Sequence, residues 1–283
     1  MAKYDLHNRS KYWTDQDFQG IGFLNADFRD LQFSPHVHEE LVIAITSGGA
    51  GKSITRSGSD ITTPQQFLVY NPHEPHQGGA IKGPGWRYRA FYIDNRAMDV
   101  LSTALSFEKT APSYFSRNCI VDQQLADFML QAHATFEISK DRLERQILLL
   151  DTINTLCRRH GEPRLKMRPT GCEDKPLKIA LDYMQENFSA NISISDLATV
   201  VRLSEFHFIR VFRKHYGLSP HTFLTQIRLK AVRRMLQSGT TSTDAAAAAG
   251  FFDQSHLVRH FKRVYGITPN QFVAAVRGTS RSD

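Results

Sequence analysis

The chain has 283 residues, 41% of them hydrophobic and 22% charged, and a formal net charge of +7 at pH 7. These are the proportions of a soluble fold long enough for two domains, and apolar runs such as LVIAI at 41–45 are far too short to cross a bilayer. Only three cysteines occur, Cys119, Cys157 and Cys172, in no paired spacing, which excludes a disulfide framework or a zinc module.

The first residues, MAKYDLHNRSKYW, are polar and have no apolar stretch behind their basic side chains. No secretory signal or membrane partner is therefore expected, and the cytoplasm is the expected compartment. Residues 20 to 95 are rich in glycine and turn residues between short apolar runs, LVIAITSGG, KSITRSG, QFLVYNP and WRYRAFYID. That spacing predicts short strands in a small sandwich or barrel. From about Asp122 the period becomes helical: Leu125, Phe128, Met129, Ala132 and Phe136 share one stripe, and Leu143, Ile147, Leu150, Ile153 and Leu156 share another after the polar break SKD. The resulting helical hairpin either covers the barrel or forms the seam of a homodimer. Two prolines and two glycines without a period mark a linker before a helix that starts at Pro176, with Leu177, Ala180, Leu181, Met184 and Phe188 on its stripe. The expected organisation is a two-domain α+β chain: a β-barrel domain at 1–115, the hairpin at 116–160, a linker at 161–175 and an all-α domain at 176–277.

Charge is uneven between these parts. Lys and Arg outnumber Asp and Glu by 15 to 9 after residue 172 and only by 20 to 19 before it. A polyanionic partner for the C-terminal part would account for the asymmetry, as would solubility alone.

The same part contains a repeat. VRLSEFHFIRVFRKHYGLSP at 201–220 returns as GFFDQSHLVRHFKRVYGITP at 250–269, an offset of 49 residues. Phe208, Phe212 and Tyr216 in the first copy, and Leu257, Phe261 and Tyr265 in the second, recur every four residues and so line one side of a helix. Each copy is preceded by a short alanine-containing helix and a capping Ser204 or Asp253, and followed by Gly217 or Gly266, Ser219 or Thr268, and Pro220 or Pro269. Short helix, turn and longer helix make a helix-turn-helix unit, at 195–216 and again at 244–265. Away from the apolar stripes lie Glu205, Phe206, Ile209, Arg210 and Arg213 in the first copy, and Gln254, Ser255, Val258, Arg259 and Lys262 in the second. A guanidinium can bind guanine bidentately in the major groove, and apolar side chains can touch thymine methyls. Between the copies, the 18 residues 220–237 would span ~27 Å as one helix. Reading helices on successive turns of DNA sit roughly 34 Å apart, a separation such a spacer could hold.

Through RLKAVRRML at 228–236 and GFFDQSHLVRHFKRVYGITPNQF at 250–272, the chain resembles the AraC/XylS family of bacterial transcription regulators over about residues 176–277. The resemblance implies a seven-helix domain whose two helix-turn-helix units bind consecutive major grooves of double-stranded DNA. Carried over by position, it marks Phe206, Ile209 and Arg210 in the first unit and Gln254, Ser255 and Arg259 in the second as base-contacting residues. It also implies an activator of transcription, with RNA polymerase as a partner.

SPHVHEE at 34–40 and PQQFLVYNPHEPH at 64–76 resemble the paired motifs of cupin barrels, which also occur in the sensor domains of AraC-like regulators. His36, His38 and His76 could meet at a barrel mouth, where three imidazoles make a metal site. Metal-binding cupins add a glutamate a few residues after the second histidine, where this chain has Val42 and Ile43, and their Pro-Gly is Pro64-Gln65 here. The preferred expectation is a small-molecule effector pocket formed by His36, His38, Tyr70, His76, Trp86 and Tyr88, with no metal or cofactor and no catalytic residue assigned. Strand parity points Trp86, Tyr88 and Tyr92 one way and Arg87 and Arg89 the other, so these five share a cavity only if a bulge intervenes. A metal-dependent cupin enzyme tethered by its helical domain, and a DNA binder with a purely structural barrel, are the alternatives.

Overall fold

The computed structural model describes residues 7–104, 112–163 and 174–277. It divides into two compact units, a β-rich one over most of residues 7–163 and a helical one over residues 174–277. Residues 164–173 of the expected linker, Cys172 among them, lie outside the described residues.

In the β-rich unit, strands β1 (Asn8–Thr14), β2 (Ile21–Phe28), β3 (Gln32–His36), β4 (Leu41–Gly49), β5 (Gly51–Ile54), β6 (Ser59–Thr62), β7 (Gln66–Tyr70), β8 (His76–Ala80) and β9 (Trp86–Ile93) precede helix α1 (Asn95–Ala104). After it come β10 (Pro112–Tyr114), β11 (Cys119–Val121), the hairpin α2 (Gln123–Ile138) and α3 (Arg142–His160), and β12 (Glu162–Pro163). Two main sheets form, ordered β1-β2-β9-β4-β7-β11 and β3-β8-β5-β6, with a small pair β10-β12. Strand β11 falls inside the range assigned to the hairpin from sequence, yet it pairs antiparallel with β7 and closes the edge of the large sheet.

Period-two alternation gives the large sheet two apolar faces. One carries Phe23, Ile43, Phe67 and Phe91 and shares a single core with Met129 of α2 and Ile153 of α3. The opposite face meets the small sheet: Thr46 and Thr62 share a hydroxyl hydrogen bond of 2.9 Å, and Tyr70 donates to Ser53 Oγ at 2.8 Å, while Trp86 Nε1 of the same face donates to Thr46 Oγ1 at 3.1 Å. Gly51 permits this approach, because a Cβ there would lie 2.4 Å from the Trp86 ring. This is the small double sheet that the turn spacing predicts, in the β-rich domain that the cupin-like motifs imply.

The hairpin differs from expectation in its α3 stripe. Leu149, Ile153, Leu156 and Cys157 face the core, whereas Leu143 and Ile147 remain 65% and 50% exposed. Arg89 also departs from a pocket role. On the helix-covered side of β9 its Nη1 binds Glu137 Oε2 of α2 at 2.7 Å and donates to His133 Nδ1 at 3.1 Å.

In the helical unit, α4 (Asp174–Glu186), α5 (Ile194–Val200), α6 (Glu205–Tyr216), α7 (Pro220–Gln237), α8 (Ser242–Ala248), α9 (Gln254–Tyr265) and α10 (Pro269–Val276) are seven helices among the described residues. Helix α4 starts two residues before Pro176, which its first turn tolerates because no intrahelical N–H is needed there. Leu177 and Met184 of α4, Leu197 of α5, Phe208 and Phe212 of α6 and Leu224 of α7 form one core. The second helix-turn-helix buries Ala245 and Ala246 of α8, Leu257 and Phe261 of α9 and Phe272 of α10.

His133 gives the β-rich unit a defined acid response. Its Nε2–H donates to Ala90 O at 3.1 Å and its Nδ1 faces Arg89, so a second proton would place an imidazolium against a guanidinium. Burial, then the Arg89 charge, hold its pKa down at about 3. Native His133 therefore stays neutral while the unfolded ring takes a proton as pH falls through its ordinary value near 6.5, so stability is lost below that pH. The expected loss between pH 7 and pH 5 is on the order of 2 kcal/mol. Thermal unfolding of the chain followed by near-ultraviolet circular dichroism checks it, and a pH-independent midpoint contradicts it.

Candidate nucleic-acid interface and sensor interior

The reading helices are fixed by local chemistry at both ends. Ser204 Oγ accepts from His207 N to start α6, and Asp253 Oδ1 accepts from His256 N at 2.6 Å to start α9. Gly217 and Gly266 end them in the left-handed conformation at φ of 75° and 71°, which only glycine adopts without strain. Ser219 and Thr268 then cap α7 and α10, each followed by a proline in the first turn.

With Phe208, Phe212, Leu257 and Phe261 fully buried, the opposite faces of α6 and α9 are left to solvent. Glu205, Phe206, Ile209, Arg210 and Arg213 are exposed on α6, as are Gln254, Ser255 and Arg259 on α9, with Val258 and Lys262 half-buried. Among the described residues, no carboxylate pairs with Arg210, Arg213 or Arg259. Phe206, Ile209, Arg210, Arg213 and Lys214 line one groove. Lys214 was not among the residues expected from sequence, although its position four residues after Arg210 places it on the same helical face. Phe252, almost fully exposed just ahead of α9, was also missed, since an aromatic next to a cap ordinarily packs inward.

Two arginines of α7 have structural partners instead. Arg228 donates from Nε to Phe188 O at 2.7 Å and from Nη2 to Ala190 O at 2.8 Å, satisfying carbonyls beyond the end of α4. Arg233 lies over the rings of Tyr265 and Phe272, 5.0 and 5.3 Å from their centroids. The basic excess of this region is therefore partly internal. His256 and His260 likewise turn inward, their Nε2 atoms 2.9 Å apart beside Phe251. Burial, then the neighbouring His256, lower the pKa of His260 to about 4, so His260 is neutral near pH 7 and adds no charge to the face of α9.

In the β-rich unit the six expected effector residues are all buried. Tyr70 stacks on His76 at 3.8 Å, His76 lies 5.2 Å from His38, and Trp86 stacks on Tyr88 at 4.1 Å. Burial, opposed in part by the Ser53 hydrogen bond, raises the Tyr70 pKa, and burial raises that of Tyr88, so both stay phenols. His36 and His76 each direct Nδ1–H to the carbonyl two residues back, Ser34 O at 2.6 Å and Glu74 O at 2.8 Å, which leaves the lone pair on Nε2. Burial lowers the pKa of His36 to about 4. One ring nitrogen from each of His36, His38 and His76 falls within 4.8 Å of the others. Imidazoles so placed can, in their neutral form, ligate a divalent transition metal or grip a polar ligand.

Two matched helix-turn-helix units with solvent-facing cationic side chains, in a chain that also carries a β-rich unit with a polar, aromatic interior, define a DNA-binding transcription regulator. Residues 197–275 match the model of a helix-turn-helix domain, and residues 19–153 that of the AraC-like ligand binding domain. The chain belongs to the AraC family of transcriptional regulators. It is 26% identical over 224 residues to the HTH-type transcriptional regulator YbfI of Bacillus subtilis, covering 79% of this chain and 81% of that one. It is 31% identical over 87 residues to the transcriptional activator RhaS of Pectobacterium carotovorum, 30% of this chain and 31% of RhaS. Among solved structures, apo ToxT of Vibrio cholerae shares the fold with a TM-score of 0.52 at 9% identity, over 95% of this chain and 98% of ToxT. ToxT with bound unsaturated fatty acid gives 0.51 at 11% identity, over the whole of both chains. No helix among the described residues is long and apolar enough to cross a membrane.

Gly250, in the turn between α8 and α9, tests how the helical unit is assembled. Its φ is +75°, and a Cβ there would stand 2.4 Å from the backbone oxygen of Ser189. Gly250→Ala is expected to cost about 2 kcal/mol or more from backbone strain and the clash together, read as a lowered unfolding midpoint. An unchanged midpoint contradicts the close approach.

Proposed function

We propose that the protein is a cytoplasmic, effector-responsive activator of transcription that reads two successive major grooves of a specific promoter sequence. Exposed Arg210 and Arg259, at matched positions of the two helix-turn-helix units, carry this reading. Glu205, Phe206, Ile209, Arg210 and Arg213 of α6 and Gln254, Ser255, Val258, Arg259 and Lys262 of α9 are the residues assigned to DNA. Activation, through contact with RNA polymerase, is supported by the activator role in the name of RhaS. Residues 1–115 are assigned to sensing, 116–160 to the hairpin, 161–175 to a linker and 176–277 to DNA binding. No catalytic residue is assigned, and the role is regulatory.

Arg210→Ala and Arg259→Ala are each expected to cost about 1–3 kcal/mol on the specific duplex and far less on random DNA. Affinities measured by fluorescence anisotropy across a salt series check this. Equal losses on both DNAs would reassign the arginines to backbone contact, and affinity indifferent to salt would contradict phosphate binding altogether.

His36, His38, Tyr70, His76, Trp86 and Tyr88 are assigned to the effector. A small molecule is supported by the AraC-like ligand binding domain match and by the fatty acid bound in ToxT. Buried imidazole and phenol groups suit a ligand with its own hydrogen-bonding groups. A second reading, in which the three histidines hold a divalent metal, is favoured by the 4.8 Å clustering of their nitrogens. Titrating chelator-stripped protein with cobalt(II) separates the two: a stoichiometric visible absorption that His76→Ala abolishes supports the metal, and its absence supports the organic effector alone.

The exposed Leu143 and Ile147 on α3, with Ile138 at the end of α2, support homodimerisation through the hairpin. The double variant Leu143→Lys, Ile147→Lys is expected to sediment as a monomer where the unaltered chain is a dimer. An unaltered chain that is monomeric at tens of micromolar contradicts the seam.

A further inference from the structure

The two reading helices share a scaffold but differ where they face outward. Phe206 is 78% exposed and Ile209 37% exposed, in the groove also lined by Arg210, Arg213 and Lys214. The repeat offset puts Ser255 and Val258 at the matched positions of α9, and Gln254 opposite Glu205. The core of the first unit is complete without Phe206, since Phe208 and Phe212 fill it. A large exposed ring among three cations therefore needs a partner that is both anionic and locally apolar.

Double-stranded DNA meets both conditions at one kind of position. Its phosphates answer the cations, and the apolar feature of the major-groove floor is the C5-methyl group of thymine or of 5-methylcytosine. Phe206 has no hydrogen-bonding group for a base edge, and Ile209, three residues on, adds apolar surface on the same side. Arg210 stands one helical turn beyond Phe206, and its Nη2 lies 3.4 Å from His207 Nδ1, which steadies the guanidinium on this side. A guanidinium there can take both acceptors of a guanine beside the methylated base. On α9, Gln254 Nε2 is held by Ser242 Oγ at 3.0 Å, which orients an amide suited to adenine.

We infer that α6 recognises the C5-methyl group of a pyrimidine next to a guanine, accepting thymine and 5-methylcytosine alike, whereas α9 reads polar base edges. The inference rests on the sequence-specific regulator proposed above and adds a sensitivity of one half-site to cytosine methylation.

The test begins with duplexes selected from a random pool by the full chain. In the selected duplex each thymine is replaced in turn by uracil, which removes only the methyl, and then by cytosine and by 5-methylcytosine paired with guanine. In one half-site uracil is expected to weaken binding about fourfold per methyl lost, the value of one buried methyl-sized group, and 5-methylcytosine to bind more tightly than cytosine by a similar factor. Phe206→Ala, a change at an exposed position, should bring the thymine-to-uracil ratio close to one, while Ser255→Ala should leave it intact. Equal binding of thymine and uracil duplexes, or discrimination that survives both Phe206→Ala and Ile209→Ala, overturns the methyl reading while leaving the regulator reading in place. Selection of no sequence at all sinks the regulator reading, and this inference with it.

Discussion

The geometry of DNA reading depends on how α7 is held at two points along its length. Arg228 secures it to the first helix-turn-helix region through two charge-assisted hydrogen bonds to Phe188 O and Ala190 O. Arg233 secures it to the second through the faces of Tyr265 and Phe272. Hydrogen bonds from charged groups contribute about 1.5–3 kcal/mol each, and a partly desolvated cation over an aromatic ring about 1–2 kcal/mol. Leu224 joins the first core, and Leu229, Val232 and Leu236 are buried further along the helix. Gly250, against Ser189, adds a backbone contact between the two halves that no other residue could make without strain. The unit thereby holds two reading faces at one separation instead of leaving two small domains on a tether.

The β-rich unit follows a different logic. Its large sheet buries an ordinary apolar core under the hairpin on one face and, on the other, a hydroxyl of Thr46 and the phenol of Tyr70 that bond across to Thr62 and Ser53 of the small sheet. Buried polar groups are costly unless paired, so a cluster of this kind is retained where its chemistry has a use. The effector proposed for this cluster would act only through its different affinities for DNA-competent and incompetent arrangements, and nearly complete switching would require roughly 5.5 kcal/mol of such difference.

What sequence revealed follows from which signals are local. Strand β4 was legible because its apolar run ends in glycines, and the two reading helices because cap, stripe and terminal glycine recur at one offset. The structure gathers His36, His38 and His76 from the two motifs, and sets Trp86 against Tyr88 on the side that strand parity gave them. Long-range pairing was not legible: nothing near Arg89 in the chain announces Glu137 and His133, and nothing near Arg228 announces the carbonyls of Phe188 and Ala190. The α3 stripe was misread because period alone does not say which of two adjacent apolar faces meets the sheet, and Leu143 and Ile147 lie on the other one. Strand β11 was passed over because three residues are too few to show alternation, and helix α1 was passed over although Asp94 caps it, its Oδ1 accepting from Ala97 N at 2.7 Å.

The account is tested most directly by the spacing of the two half-sites. A rigid α7 should tolerate only the separation of one DNA turn within a single chain. Inserting about 5 base pairs between the half-sites of a selected duplex should therefore lower affinity at least tenfold, and inserting about 10, which restores the face but doubles the distance, should not recover it. Affinity that is unchanged by the shorter insertion, or fully regained with the longer one, would contradict a fixed two-groove reader.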